Sequence, residues 1–175
     1  MQIEKTRNLN FDESVYYDII NGKTASLLAS SCAAGAASVT SNEEIIQKMK
    51  SFGEHVGMAF QIKDDLFDYG DAKVGKPTGN DIKEKKLTLP LIHILQKVPK
   101  HLKREIIYIV KNNNNDKEKV KFVIDHVKSY GGIEYAEAKM IEYRDNALAI
   151  LNSFPASPAR EALEELVRYT TDRAY

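Results

Sequence analysis

Apolar residues recur along this chain at three- and four-residue intervals almost from end to end, without the sustained alternation a strand requires. The spacing predicts a short helix over residues 12–22, ended near Gly22, and a second from Lys23 to about Val39. Ser41 with Glu44 three residues later reads as a capping box, opening a long helix to about Asp68. Ile45, Met49, Phe52, Val56 and Phe60 fall on one side of it, which should be the core side. Gly70, Gly75, Pro77 and Gly79 then break the period, so 70–87 reads as a loop. Further helices are expected from Leu89-Pro90 (carrying Leu91, Ile94 and Leu95), over 101–111, from an Asp116 cap to Tyr130, and over 133–153. A last one runs from a Ser157 cap, with Pro158 at the first helical position, to about Arg173. Asn112 to Asn115 reads as a loop without evident chemistry. No linker or internal repeat divides the chain, so the expectation is all-α, one helical domain over residues 1–175.

Composition narrows the partners. With 43% hydrophobic residues in 175, the chain can bury a real core. Lys+Arg and Asp+Glu each number 25, so a net charge of zero offers no footprint for nucleic acid or an anionic membrane. The single cysteine, Cys32, excludes an internal disulfide, fits a reducing cytoplasm and reads as a small buried apolar residue. Thr24 to Val39 is apolar, but it is serine-rich, follows acidic Asp12, Glu13 and Asp18, and is shorter than the roughly 20 residues a bilayer span needs. It reads as a helix packed tightly against a neighbour, so no transmembrane segment is expected. His55, His93, His101 and His126 show no metal-ligand spacing.

The informative chemistry lies at Asp64-Asp65-Leu66-Phe67-Asp68. On a helix these three carboxylates share one side, and Gln61 extends it one turn earlier. Like charges repel there, and a helix C-terminus makes the repulsion worse. A solvated acidic helix end is one reading. A site for hard divalent cations is the other, because magnesium prefers carboxylates, water and phosphate oxygens. Apolar Phe52, Val56 and Phe60 upstream, with Lys76, Asp81, Lys85 and Lys86 downstream, favour a metal-bridged diphosphate.

Phe60-Gln61, Asp64-Asp65-x-x-Asp68, Gly70-Asp71, Gly75-Lys76, Asp81 and Lys86 together resemble the second aspartate-rich motif of the trans-isoprenyl diphosphate synthases. Lys23-Thr24-Ala25 resembles that family's Lys-Thr element, and Phe154-Pro155-x-Ser157-Pro158 with Leu163 and Arg173 the tail of its polyprenyl branch, as in octaprenyl and heptaprenyl synthases. The resemblance implies a helical bundle of the isoprenoid synthase type. It implies Mg2+ on Asp64, Asp65 and Asp68, with Lys23, Lys76 and Lys86 on the substrate diphosphate and Thr24 and Gln61 beside the carbocation. It implies an allylic diphosphate and isopentenyl diphosphate as substrates, cytoplasmic location, and a product of long-chain type.

The departures matter equally. A complete synthase of this family carries a first aspartate-rich motif and a Gly-Lys-x-x-Arg-Pro segment upstream, and neither is present in these 175 residues. The expectation is therefore a bundle truncated at its N-terminus, inactive alone, whose bared apolar faces drive self-association into a dimer or other homo-oligomer. A non-catalytic subunit partnering a complete synthase is the alternative. A terpene cyclase fits less well, because its Asn/Ser/Glu metal triad has no counterpart here.

Overall fold

The computed structural model describes residues 12–70 and 78–172, and every regular element among them is a helix. In chain order these are α1 (Glu13–Ile20), a π-helical turn (Asn21–Ala25), α2 (Ser26–Ala37), α3 (Glu43–Phe67) and the short α4 (Asn80–Lys83). Then come α5 (Leu89–Lys97), α6 (Lys100–Asn112), α7 (Lys117–Ser129), α8 (Gly132–Asn152) and α9 (Pro158–Asp172). No described helix is long and apolar enough to cross a membrane.

The chain divides into two compact units. Among the described residues the first holds 12–16, 64–70 and 78–137, and the second holds 17–63 and 138–172. The core of the first is built on α5, whose residues from Leu89 to Leu95 are all buried. Leu91, Ile94 and Leu95 share one core with Tyr69, with Ile82 of α4, with Leu102, Ile106 and Ile109 of α6, and with Val120, Val123 and Val127 of α7. Each such buried side chain contributes about 1.5–3 kcal/mol. A Cβ on Gly132 would stand 2.7 Å from the Pro90 carbonyl oxygen, so only glycine lets α8 begin so close to α5. His93, 7% exposed, stacks on Tyr135 with ring centroids 3.8 Å apart, and burial lowers its pKa.

In the second unit Phe52 of α3, Ala147, Leu148 and Leu151 of α8 and Val167 of α9 form the core, with Cys32 half-buried against it. Burial pushes the Cys32 thiol pKa up. The tight contact expected of 23–39 is seen, among the described residues, along a seam with α3. A Cβ on Gly57 would lie 2.5 Å from the Ala25 Cα, and one on Gly53 2.5 Å from the Leu28 carbonyl oxygen. Elsewhere α2 is open, and Leu27 is 68% exposed.

Several local expectations need correction. The chain does not break at Gly22; it passes through the π-helical turn straight into α2. The cap of α3 is Asn42, not Ser41: its Oδ1 accepts the Glu44 N–H at 2.9 Å and the Ile45 N–H at 3.4 Å. Of the five residues assigned to the core side of α3, Phe52 is fully buried and Met49 and Val56 pack partly buried against the same core. Met58, Ala59, Ile62 and Leu66, outside that set, are buried as well. The 70–87 stretch contains α4, and the asparagine run is not inert: buried Asn114 donates its side-chain N–H to the Lys83 carbonyl and closes that helix. The Asp116 and Ser157 caps form as expected, the first accepting the Glu118 N–H at 2.9 Å, the second the Arg160 N–H at 3.2 Å. Arg173 lies outside the described residues.

Candidate functional site

The acidic stripe ends α3, and the helix stops one residue before its last carboxylate. The Asp68 N–H bonds back to the Asp65 carbonyl at 3.2 Å, a tightened final turn. Asp68 therefore stands just outside the helix and gathers the next segment around itself. Its carbonyl accepts the Gly79 N–H at 3.0 Å, and its carboxylate accepts the Asn80 N–H at 2.8 Å and the Asp81 N–H at 3.0 Å. Gly79 makes this possible, because it adopts φ +79, a conformation that side-chain-bearing residues rarely hold.

Asp81 is thereby brought to Asp68. Burial first, then the Asp81 charge, raise the Asp68 pKa, while the two backbone N–H groups and Lys86 act in the opposite direction. Lys86 bridges Asp81 Oδ1 at 3.0 Å and Glu84 Oε2 at 2.6 Å, and these carboxylates raise its pKa and keep it a cation. Lys85 supplies the backbone reversal between them at φ +58, which for a non-glycine residue costs about 1–2 kcal/mol. The loop therefore holds a strained residue where its charges converge.

Of the other two aspartates, Asp64 is exposed, and Asp65 accepts a hydrogen bond from the Tyr16 hydroxyl at 2.8 Å. The expected shared helical side for all three carboxylates meets a helix that ends at Phe67, so Asp68 lies in the turn beyond it. Among the described residues no group of three or more His, Cys, Asp or Glu is preassembled as a metal cage. The donor set nevertheless suits a hard divalent cation, which takes oxygen ligands from carboxylates, water and phosphate groups. Asp68 and Asp81 are a repelling pair of hard oxygen donors, and among the described residues Lys86, shared with Glu84, and the Asn80 and Asp81 N–H groups offset their charge.

In the second unit, Thr24 lies in the π-helical turn and donates its hydroxyl proton to Oε1 of Gln61, which is buried at 3% exposure. Asn21, in the same turn, donates to Glu54 Oε1 at 2.9 Å. The turn is thus pinned to α3 at two points, with exposed Lys23 between them. A π-helical insertion of this kind recurs at functional sites because it re-aims one or two side chains. Lys76 lies outside the described residues. Sequence reasoning gave Asp81 no role of its own and missed Tyr16. The signal for Tyr16 was its spacing from Glu13, one turn earlier on the same helix side.

The described residues thus combine an all-helical fold with an acidic helix end, a lysine-bearing loop and a pinned Lys-Thr turn. Residues 1–127 match the model of the polyprenyl synthetase family, and the chain belongs to that family. It is 33% identical over 179 residues to heptaprenyl diphosphate synthase component 2 of Geobacillus stearothermophilus, covering 99% of this chain and 55% of the relative. The crystal structure of geranylgeranyl pyrophosphate synthase from Bacteroides thetaiotaomicron superposes with a TM-score of 0.90 at 38% identity, covering 98% of this chain and 57% of that one. A polyprenyl synthase from Caulobacter crescentus, complexed with calcium and isoprenyl diphosphate, superposes with a TM-score of 0.85 at 32% identity, covering 98% and 53%. The chain spans about half the length of the curated relatives it matches.

Proposed function

We propose that this chain supplies part of the site of a trans-polyprenyl diphosphate synthase, a transferase that extends an allylic diphosphate with isopentenyl diphosphate. In that reaction the allylic C–O bond breaks and the diphosphate leaves with the electron pair. The π bond of isopentenyl diphosphate then forms the new C–C bond to the carbocation, and loss of a proton restores a double bond. Asp64, Asp65 and Asp68 would hold Mg2+, which when bound offsets the negative charge of the leaving group. Lys23, Lys76 and Lys86 would neutralise the remaining diphosphate charge as it develops. Thr24 and Gln61 would turn oxygen dipoles toward the cation, and their mutual hydrogen bond supports that role by fixing both side chains.

The observation that carries this reading is the Asp68–Asp81–Lys86 cluster at the end of α3, in a chain of this family. A second reading, work alongside another polypeptide, is supported by the name of a relative as component 2 of its enzyme.

Incorporation of labelled isopentenyl diphosphate tests the proposal. The isolated chain should give no elongation with saturating magnesium and both substrates. Fused behind the N-terminal portion of the Bacteroides enzyme it should elongate, and Asp64→Ala in that fusion should slow turnover by about 10²-fold. Robust elongation by the isolated chain would refute the division of labour. An unimpaired Asp64→Ala fusion would refute the site.

A further inference from the structure

Tyr16 is 5% exposed on α1, and its hydroxyl donates to Asp65 Oδ2 at 2.8 Å. The phenol does not owe its position to Asp65. One turn earlier Glu13 accepts a hydrogen bond from the Tyr135 hydroxyl at 2.8 Å, and the Tyr135 ring is stacked on buried His93 at an interplanar angle of 18°. The start of α1 is thus fixed by α5 and α8, and Tyr16 projects from a helix held independently of the acidic stripe. Asp64, by contrast, is exposed and has no side-chain partner among the described residues.

We propose that Tyr16 is a positioning residue for Asp65: its fixed phenol selects the carboxylate orientation in which Asp65 takes a divalent cation. A carboxylate in the last turn of a helix otherwise samples several rotamers, and ordering it on each binding event costs affinity. Hydrogen bonds to ligating carboxylates commonly change metal affinity by 10–100-fold. The inference rests on the reading of Asp65 as a metal ligand, and it adds a residue outside the aspartate-rich motif.

The test is a magnesium titration of diphosphate binding by calorimetry on the 175-residue chain, with Tyr16→Phe, Asp65→Asn and the double variant. Phenylalanine keeps the buried ring, and circular dichroism checks that the helices persist. Tyr16→Phe should raise the magnesium concentration needed for half-maximal binding about 10-fold, and without magnesium neither wild type nor variant should bind diphosphate. In the Asp65→Asn background the same change should add nothing, because the carboxylate it orients is gone. A purely structural tyrosine would instead lower the melting temperature equally in both backgrounds and leave the magnesium titration where it was; that result overturns the proposal. Asp65→Asn titrating like wild type would overturn the site reading itself, and the role of Tyr16 with it.

Discussion

Helix α5 buries every residue from Leu89 to Leu95, whereas α2, which carries no charged residue at all, buries Ala29 alone among its own residues. Apolar composition is common to both, so it does not decide burial. What differs is the surroundings within each unit. Helix α5 meets Tyr69, Ile82, α6 and α7, and its large side chains interlock with theirs. Helix α2 meets α3 along one line, where Gly53 and Gly57 admit the backbone at Ala25 and Leu28. Small residues allow that close approach, and they leave Leu27 and the neighbouring Val39, 68% and 85% exposed, on the outside. A saturated helix is part of a finished core. A helix held by one seam leaves an apolar face exposed.

The largest effect should come from the seam. Gly57→Ala forces a methyl group against the Ala25 backbone and should cost about 1–3 kcal/mol, measured by urea denaturation. Hydrogen exchange should show protection lost from residues 26–37 while 89–97 keep theirs. Gly132→Ala should cost a similar amount through the Pro90 carbonyl and loosen 89–97 instead. If both variants open the same residues, the two helices are not held by separate contacts.

A smaller change of opposite sign is expected in the charged loop. Lys85→Gly removes the cost of a side chain at φ +58 and should stabilise the chain by about 1 kcal/mol. A loss of stability would mean that the Lys85 side chain makes a compensating contact. Smallest of all, Leu27→Lys should move stability by no more than about 0.5 kcal/mol, because Leu27 gives up little burial. Its readout is association: light scattering over a dilution series should show less self-association than wild type. Unchanged association would place the contact on another face.

The same contrast explains what could be read from the sequence. Helix positions, the Asp116 and Ser157 caps and the apolar core of α5 depend on local spacing, and local spacing is visible in one chain. The π-helical turn was not visible, because a single five-residue turn is too short to show a period of its own; Gly22 looked like a stop and is exposed within a continuous helix. Asn42 displaced Ser41 as the cap because helix α3 starts at Glu43, one residue beyond the capping-box register. Asn114 looked featureless because its partner, the Lys83 carbonyl, lies 31 residues away. At the site, residue identity pointed to Asp64, Asp65, Asp68 and Lys86. What it left out was how Asp68 departs from the helix to hold Asn80 and Asp81, and how Tyr16 reaches Asp65 from a distance of 49 residues.

The account turns on the acidic end of α3 holding a diphosphate through a divalent cation. Isothermal calorimetry of diphosphate on the wild-type chain and on Asp64→Asn/Asp65→Asn, each with and without magnesium, tests that directly. The account predicts weak binding by wild type in the presence of magnesium only, and none by the double variant under either condition. Binding that ignores magnesium, or that survives the loss of both carboxylates, would contradict it.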